Sequence, residues 1–136
     1  NKTVDYSEND VDVLKKTIYL EAIGEPLEVQ VAVAHVIRNR ALANRRGFGG
    51  SSIAGVCLHR LQFSCWNDKE PEDYHPRNQK LFDGLDGWAR RVLDGTEPDP
   101  TNGSMHYINP DRCDPSWAKK MRVGVKIGHH QFFHEQ

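Results

Sequence analysis

Val29-Gln30-Val31-Ala32-Val33-Ala34-His35-Val36-Ile37-Arg38-Asn39-Arg40-Ala41-Leu42 is a dense run of small and branched apolar residues that turns polar only toward its end. So few polar positions leave no solvent face, and the run predicts a helix at the buried centre of the domain. Pro26 suits the first turn of this helix, where a missing N–H is no loss. Upstream, Val11, Leu14, Ile18 and Ala22 recur on one stripe and predict a first helix. Asn9 or Asp10 can cap its start, it runs to about Ala22, and Gly24 ends it. Between the two patterns lies Glu21-Ala-Ile-Gly24-Glu25-Pro26, which sets two carboxylates around a helix break. Glu21 falls on the edge of the apolar stripe beside Leu14. Partial burial there disfavours the charged form and keeps a proton near neutral pH, as a general acid requires.

Downstream, Gly47, Gly49, Gly50, Ser51 and Ser52 mark a loop, and Ile53 to Leu58 reads as a short helix or turn. Gln62 to Arg77, with its charges, two prolines and aromatic groups, reads as a surface loop. Pro76 to Leu93 restores helical spacing through Leu81, Leu85, Trp88 and Val92, with Gly95 as its cap. Pro98 to Gly103 is a turn cluster. The tail holds a short apolar segment from Met105 to Ile108, a helical turn around Trp117, and the closing run Gly128-His-His-Gln-Phe-Phe133, whose end looks more like a strand. There is no internal repeat or linker, which makes the chain one domain over 1–136 with a folded core of about 9–133. The fold class is mainly α (α+β), with a helical core and little or no β-structure.

A chain of 136 residues can bury enough apolar surface to fold without staples. Its 18 Lys and Arg against 19 Asp and Glu provide no global basic field for nucleic acid or an anionic membrane. No apolar run is long enough to span a bilayer, and no signal-peptide core is present, although the chain starts without Met. Cys57, Cys65 and Cys113 allow three pairings for one disulfide, or stand as small buried thiols.

Several blocks in order carry a resemblance. Glu21-Ala-x-Gly24-Glu25-Pro26, Gln30, Ala32-Val-Ala34 and Asn39-Arg40 come first, then Gln62-Phe63-Ser64. Asp99-Pro-Thr101 with Gly103, His106-Tyr107 and Trp117 follow, and Gly128-x-His130-x-Phe132-Phe133 closes the set. Together they resemble the bacterial cell wall hydrolases of the SleB/CwlJ type, known from spore-cortex lytic enzymes and phage endolysins, over roughly residues 15 to 133. The resemblance implies a lysozyme-like, mostly helical domain that cleaves the glycan strands of peptidoglycan, with one glutamate at the end of the first helix. That position maps to Glu21. Ile23 departs from the arginine or other polar residue common there, and Cys65-Trp66 and the acidic stretch Asp68 to Asp73 look peculiar to this chain.

Cleavage needs a proton on the leaving oxygen and an answer to the positive charge at the anomeric carbon. In a lytic transglycosylase acting between N-acetylmuramic acid and N-acetylglucosamine, the C6 hydroxyl of the muramic acid attacks, so Glu21 serves as acid and then base without a second carboxylate. In a muramidase-type hydrolase water attacks, and Glu25 or a loop acid would assist. Glu25 is expected to tune Glu21 or bind sugar. Gln62 and Ser64 offer neutral donors and acceptors for hydroxyl and acetamido groups, and Phe63 or Trp66 a face for a pyranose, unless they only tie down their own loop. Tyr107 is preferred over His106 for substrate contact, although it could equally be a core residue. Gln30, Asn39 and Arg40 suit structural hydrogen bonds, and His130 a structural place at the fold's closure.

Two rivals remain. A metal-dependent amidase would use His129, His130 and His134, but no HExxH motif supports it and no metal or other cofactor is called for. An inactive peptidoglycan-binding module would not need Glu21. The expected partner is peptidoglycan, met by a monomer without nucleic acid or membrane insertion. The expected place is periplasm, cell wall or outside the cell, reached in phage lysis or after release from a longer precursor.

Overall fold

The computed structural model describes residues 4–59 and 63–136. The first helix, α1, spans Glu8–Ala22 and opens with a capping box. The Ser7 hydroxyl accepts from the Asp10 N–H at 3.1 Å, and the Asp10 carboxylate accepts from the Ser7 N–H at 2.9 Å. Asp10 was one of the two expected caps, yet it works from inside the first turn with Ser7 at the boundary. Its other oxygen accepts from the Ala54 N–H at 2.9 Å, so one carboxylate serves the start of α1 and of the short helix α3, Ile53–Leu58. The last turn of α1 carries no Lys or Arg.

The central run forms α2, Leu27–Ala43, with Pro26 before it and Asn44 in the left-handed region at φ 50° after it. Val29, Val33 and Ile37 join Leu14 and Ile18 of α1 in the main core, while Ala32 and Val36 lie in a second cluster with Phe132. With two packed sides, α2 has no room for a polar stripe, which explains its composition. The helix expected over 76–93 is two helices, α4 at Gln79–Asp83 and α5 at Asp86–Asp94. Asn78 starts α4 by accepting from the Leu81 N–H at 3.1 Å, and Gly95 ends α5 at φ 80°. Apolar spacing alone did not reveal the break at Gly84-Leu85.

Three antiparallel strands follow: β1 His106–Ile108, β2 Arg122–Ile127 and β3 His130–His134, in the order β1-β3-β2. β2 is the element missed in the sequence. Val123, Val125 and Ile127 do alternate, but a bulge between Val123 and Lys126 breaks the register. Gln131 stabilises that bulge by donating its side-chain amide to the carbonyls of Gly124 and Val125 at 2.9 and 3.1 Å. Gly128 makes the β2–β3 turn at φ 58°, and a Cβ there would lie 2.8 Å from a Val29 methyl. Both backbone and packing therefore demand glycine. The sheet's inner face meets α2 through Phe132, and Tyr107, opposite Phe132 in register, shares that face. The architecture is mainly helical with this one small sheet.

Candidate active site

Glu21 lies one residue before the end of α1 and is half-buried. Thr17, one turn earlier on the same face, determines what stands beside it. The Thr17 hydroxyl donates to the Val13 carbonyl at 2.7 Å and accepts from the Trp66 indole N–H at 2.8 Å. Trp66 ends a 3-10 turn, Ser64–Trp66, so this bond docks the turn against α1 and carries Cys65 up to Glu21. Cys65 turns its backbone N–H and its thiol toward the Glu21 carboxylate, and both favour the charged form. Burial raises the Glu21 pKa above the ordinary carboxylate value, and the two Cys65 donors oppose it. The same contact, after burial, pushes the Cys65 thiol up to about 12. It is a neutral hydrogen-bond donor across the working range, and a poor nucleophile.

Glu25 sits beyond the break, where its N–H reaches the Ala22 carbonyl at 2.9 Å. The buried Gln30 amide donates to the Glu25 carbonyl at 3.0 Å, tying the turn back to α2. The carboxylate of Glu25 faces His130: burial holds that imidazole toward its neutral form, and Glu25 opposes this. The shift on the Glu21 carboxyl comes from burial and Cys65, while Glu25 acts on His130.

Tyr107 forms the second side of the site. Its ring packs 5.2 Å from His130 and 5.5 Å from Phe132. Burial and then the Glu21 carboxylate raise its phenol above the ordinary value, while the Arg40 guanidinium pulls it down. Glu21 and Tyr107 are therefore in electrostatic reach of one another, which the separation of 86 positions in sequence could not reveal. Arg40 is fixed by donating to the Met105 carbonyl at 2.7 Å and lies over Phe48 at 4.8 Å. It orients the start of β1 from below.

His106 is placed elsewhere. Strand alternation turns it to the outer face, where its Nε2 meets Glu135 at 3.0 Å and its ring packs on Phe48. Glu135 is held further by Arg45 at 2.7 Å, and these two partners depress its carboxyl to about 2. Phe63 also departs from expectation. It is 4% exposed and Trp66 9%, both within the main core, so neither ring offers a face to a sugar. The segment is short of apolar residues, but Phe63, Trp66 and Pro71 are buried. Gln62 lies outside the described residues, as does the side chain of Ser64.

Asn39 and Asp99 explain two of the sequence blocks together. Asn39 donates from its amide to the Asp99 carboxylate at 3.0 Å and to the Ser104 carbonyl at 2.9 Å. Asp99 also accepts from the Thr101 N–H, the Thr101 hydroxyl and the Gly103 N–H at 2.8, 2.7 and 2.9 Å. Burial opposes ionisation of Asp99, yet the bonds from Asn39 and Thr101 hold its pKa below the ordinary value. This clamp leads the chain from α5 into β1, and with it Tyr107.

His130 and His134 both lie on β3, where a spacing of four residues separates them by about 13 Å rather than one helical turn. Among the described residues no group of three His, Cys, Asp or Glu is gathered to hold a metal ion. All three cysteines are free.

A family model described as Cell Wall Hydrolase matches residues 24–133. Spore cortex-lytic enzymes of Oceanobacillus iheyensis and Bacillus subtilis are 31% and 33% identical over 93% of this chain. The chain spans 42% and 38% of their own lengths. Among solved structures, the catalytic domain of the germination-specific lytic transglycosylase SleB from Bacillus anthracis matches with a TM-score of 0.74 and 29% identity. That match covers 95% of this chain and 97% of the other.

Proposed function

We propose that this chain, which belongs to the cell wall hydrolase family, cleaves peptidoglycan glycan strands as a lytic transglycosylase. The observation that carries the reading is that one half-buried carboxyl of raised pKa, Glu21, and the partly buried phenol of Tyr107 lie within electrostatic reach of one another. The name of the Bacillus anthracis relative favours the same reaction type. Glu21, protonated, gives its proton to the glycosidic oxygen between N-acetylmuramic acid and N-acetylglucosamine as the bond from C1 to that oxygen breaks. The resulting carboxylate then takes the proton of the muramic C6 hydroxyl while its oxygen bonds to C1, closing a 1,6-anhydro ring. Atoms and charge balance, and Glu21 ends as it began. Tyr107 supplies a phenol O–H to orient the neighbouring acetamido group.

A muramidase-type hydrolysis is the second reading, because Glu25 lies near enough in the chain to guide a water. Mass spectrometry of muropeptides released from purified sacculi decides between them. The expected products carry anhydro ends, lighter by one water than reducing ends. Reducing ends alone would overturn the intramolecular attack, and free peptides would reveal an amidase. The site of action proposed is the cell wall, outside the cytoplasm, with spore cortex the substrate form that the curated relatives' names suggest.

Cys65 supplies a further prediction. Its two donors lower the Glu21 pKa against the effect of burial, so Cys65→Ala, which removes the thiol donor, moves that pKa higher. A general acid fails as pH rises through its pKa. The alkaline limb of kcat/KM on sacculi is therefore expected to shift to higher pH in Cys65→Ala. An unchanged limb or a shift to lower pH would show that the thiol does not control the proton.

A further inference from the structure

The net charge of −1 conceals a local concentration of the opposite sign. Between Pro115 and Gly128 the sequence holds Lys119, Lys120, Arg122 and Lys126 and not one Asp or Glu. All four are exposed. Elsewhere among the described residues several cations are paired, Lys15 and Arg90 with Asp86, Lys16 with Asp12, and Arg45 with Glu135. None of these four has a side-chain partner among the described residues. At physiological ionic strength charges act over only about 8 Å, so an approaching polymer meets this cluster rather than the chain's average charge.

The cluster borders an apolar surface. Val123, opposite Phe133 in register, is 66% exposed, and Trp117 is 38% exposed with its ring edge-on to Phe133 at 5.7 Å. Lys126 pairs with Gln131, two residues from Phe133, and so shares the outer face of the sheet with Val123. Tyr107 and Phe132 occupy the other face. The basic and apolar surface is thus the reverse of the wall that meets Glu21. Exposed cations around an aliphatic and an indole suit a ligand that carries carboxylates among short aliphatic side chains. Peptide stems of peptidoglycan have that chemistry.

We infer that the outer face of the sheet is a second wall contact, at which Lys119, Lys120 and Lys126 hold the carboxylate-bearing peptide stems of a neighbouring strand, while Arg122, opposite His134 in register, lies on the other face. The inference rests on the peptidoglycan reading above and adds a place where the wall is held without being cut. Such a contact keeps the enzyme on an insoluble substrate between cleavage events, and it acts mainly through charge, hence on capture rate and salt dependence.

The test is cosedimentation with teichoic-acid-free sacculi in a Glu21→Gln background, which prevents digestion. Adding Lys119→Glu, Lys120→Glu and Lys126→Glu is expected to raise the apparent Kd about tenfold or more. Salt raised from about 50 to about 300 mM is expected to weaken the unsubstituted surface and not the reversed one. Sacculi whose carboxyls are capped with ethanolamine should bind both forms equally weakly. In the Glu21 chain the same three substitutions should leave kcat on soluble muropeptide oligomers unchanged. Undiminished binding by the reversed surface, equal loss on capped and uncapped sacculi, or retention on anionic phospholipid vesicles but not on sacculi would each overturn the inference. Continued lysis by Glu21→Gln would instead overturn the proposed chemistry, and the binding comparison separates the two.

Discussion

Glu21→Gln is expected to lower the rate of sacculus lysis about 10²- to 10⁴-fold, the range associated with loss of a general acid and base. Glutamine keeps the shape and still accepts from the two Cys65 donors, so only the titratable proton is lost. The fold should not suffer. Burial raises the folded-state pKa of Glu21 above its unfolded value, so the stability it contributes is fully present below the unfolded pKa and is lost as pH rises through the folded one. At neutral pH the wild type carries that loss, whereas glutamine does not. Denaturant midpoints at pH 7 should therefore be equal or higher for the variant, together with the loss of lysis. Lysis at the wild-type rate would eliminate Glu21 as the acid, and a lower midpoint would assign it to the framework instead.

Asp99→Asn is expected to do the reverse, costing stability of about 2 kcal/mol at pH 7 while leaving the acid in place. The carboxylate accepts from four donors, on Asn39, Thr101 and Gly103, and an amide of the same shape can offer only one oxygen to them. The pH dependence follows from the depressed folded pKa. The contribution of Asp99 is present above its unfolded value near 3.9 and is lost as pH falls through the lower folded value. The gap in urea midpoint between wild type and variant should accordingly narrow below about pH 4. A variant as stable as the wild type at pH 7 would show the clamp to be incidental. Because the clamp delivers β1, Tyr107 should also be less well ordered in the variant, and part of the activity should go with it.

The α1–α2 pair was legible in the sequence because both helices are packed by repeated apolar spacing, and the break between them is marked by Gly24 and Pro26. Glu21 followed from the phase of α1. What failed to show has a common cause in long-range contact. Asp99 reads as a turn residue, and only the fold brings it to Asn39, 60 positions away. Phe63 and Trp66 sit in a polar segment whose direction is decided by one bond to Thr17. The short strand β2 was lost because its bulge interrupts the alternation by which strands are recognised. His106 and Tyr107 are neighbours in the chain, and β pairing sends one inward and the other outward. The sequence blocks marked this stretch as important without dividing the labour between the two side chains.

The unpaired end of α1 has a consequence for the proton. A helix concentrates the partial negative charge of its unsatisfied carbonyls in its final turn. In α1 that turn contains Glu21 and no lysine or arginine to offset it, and only the Ala22 carbonyl is met by the N–H of Glu25. The backbone dipoles of fifteen residues thus point their negative pole at the carboxyl and resist its ionisation before any sugar arrives. The helix that places Glu21 is itself part of the electrostatics of its carboxyl.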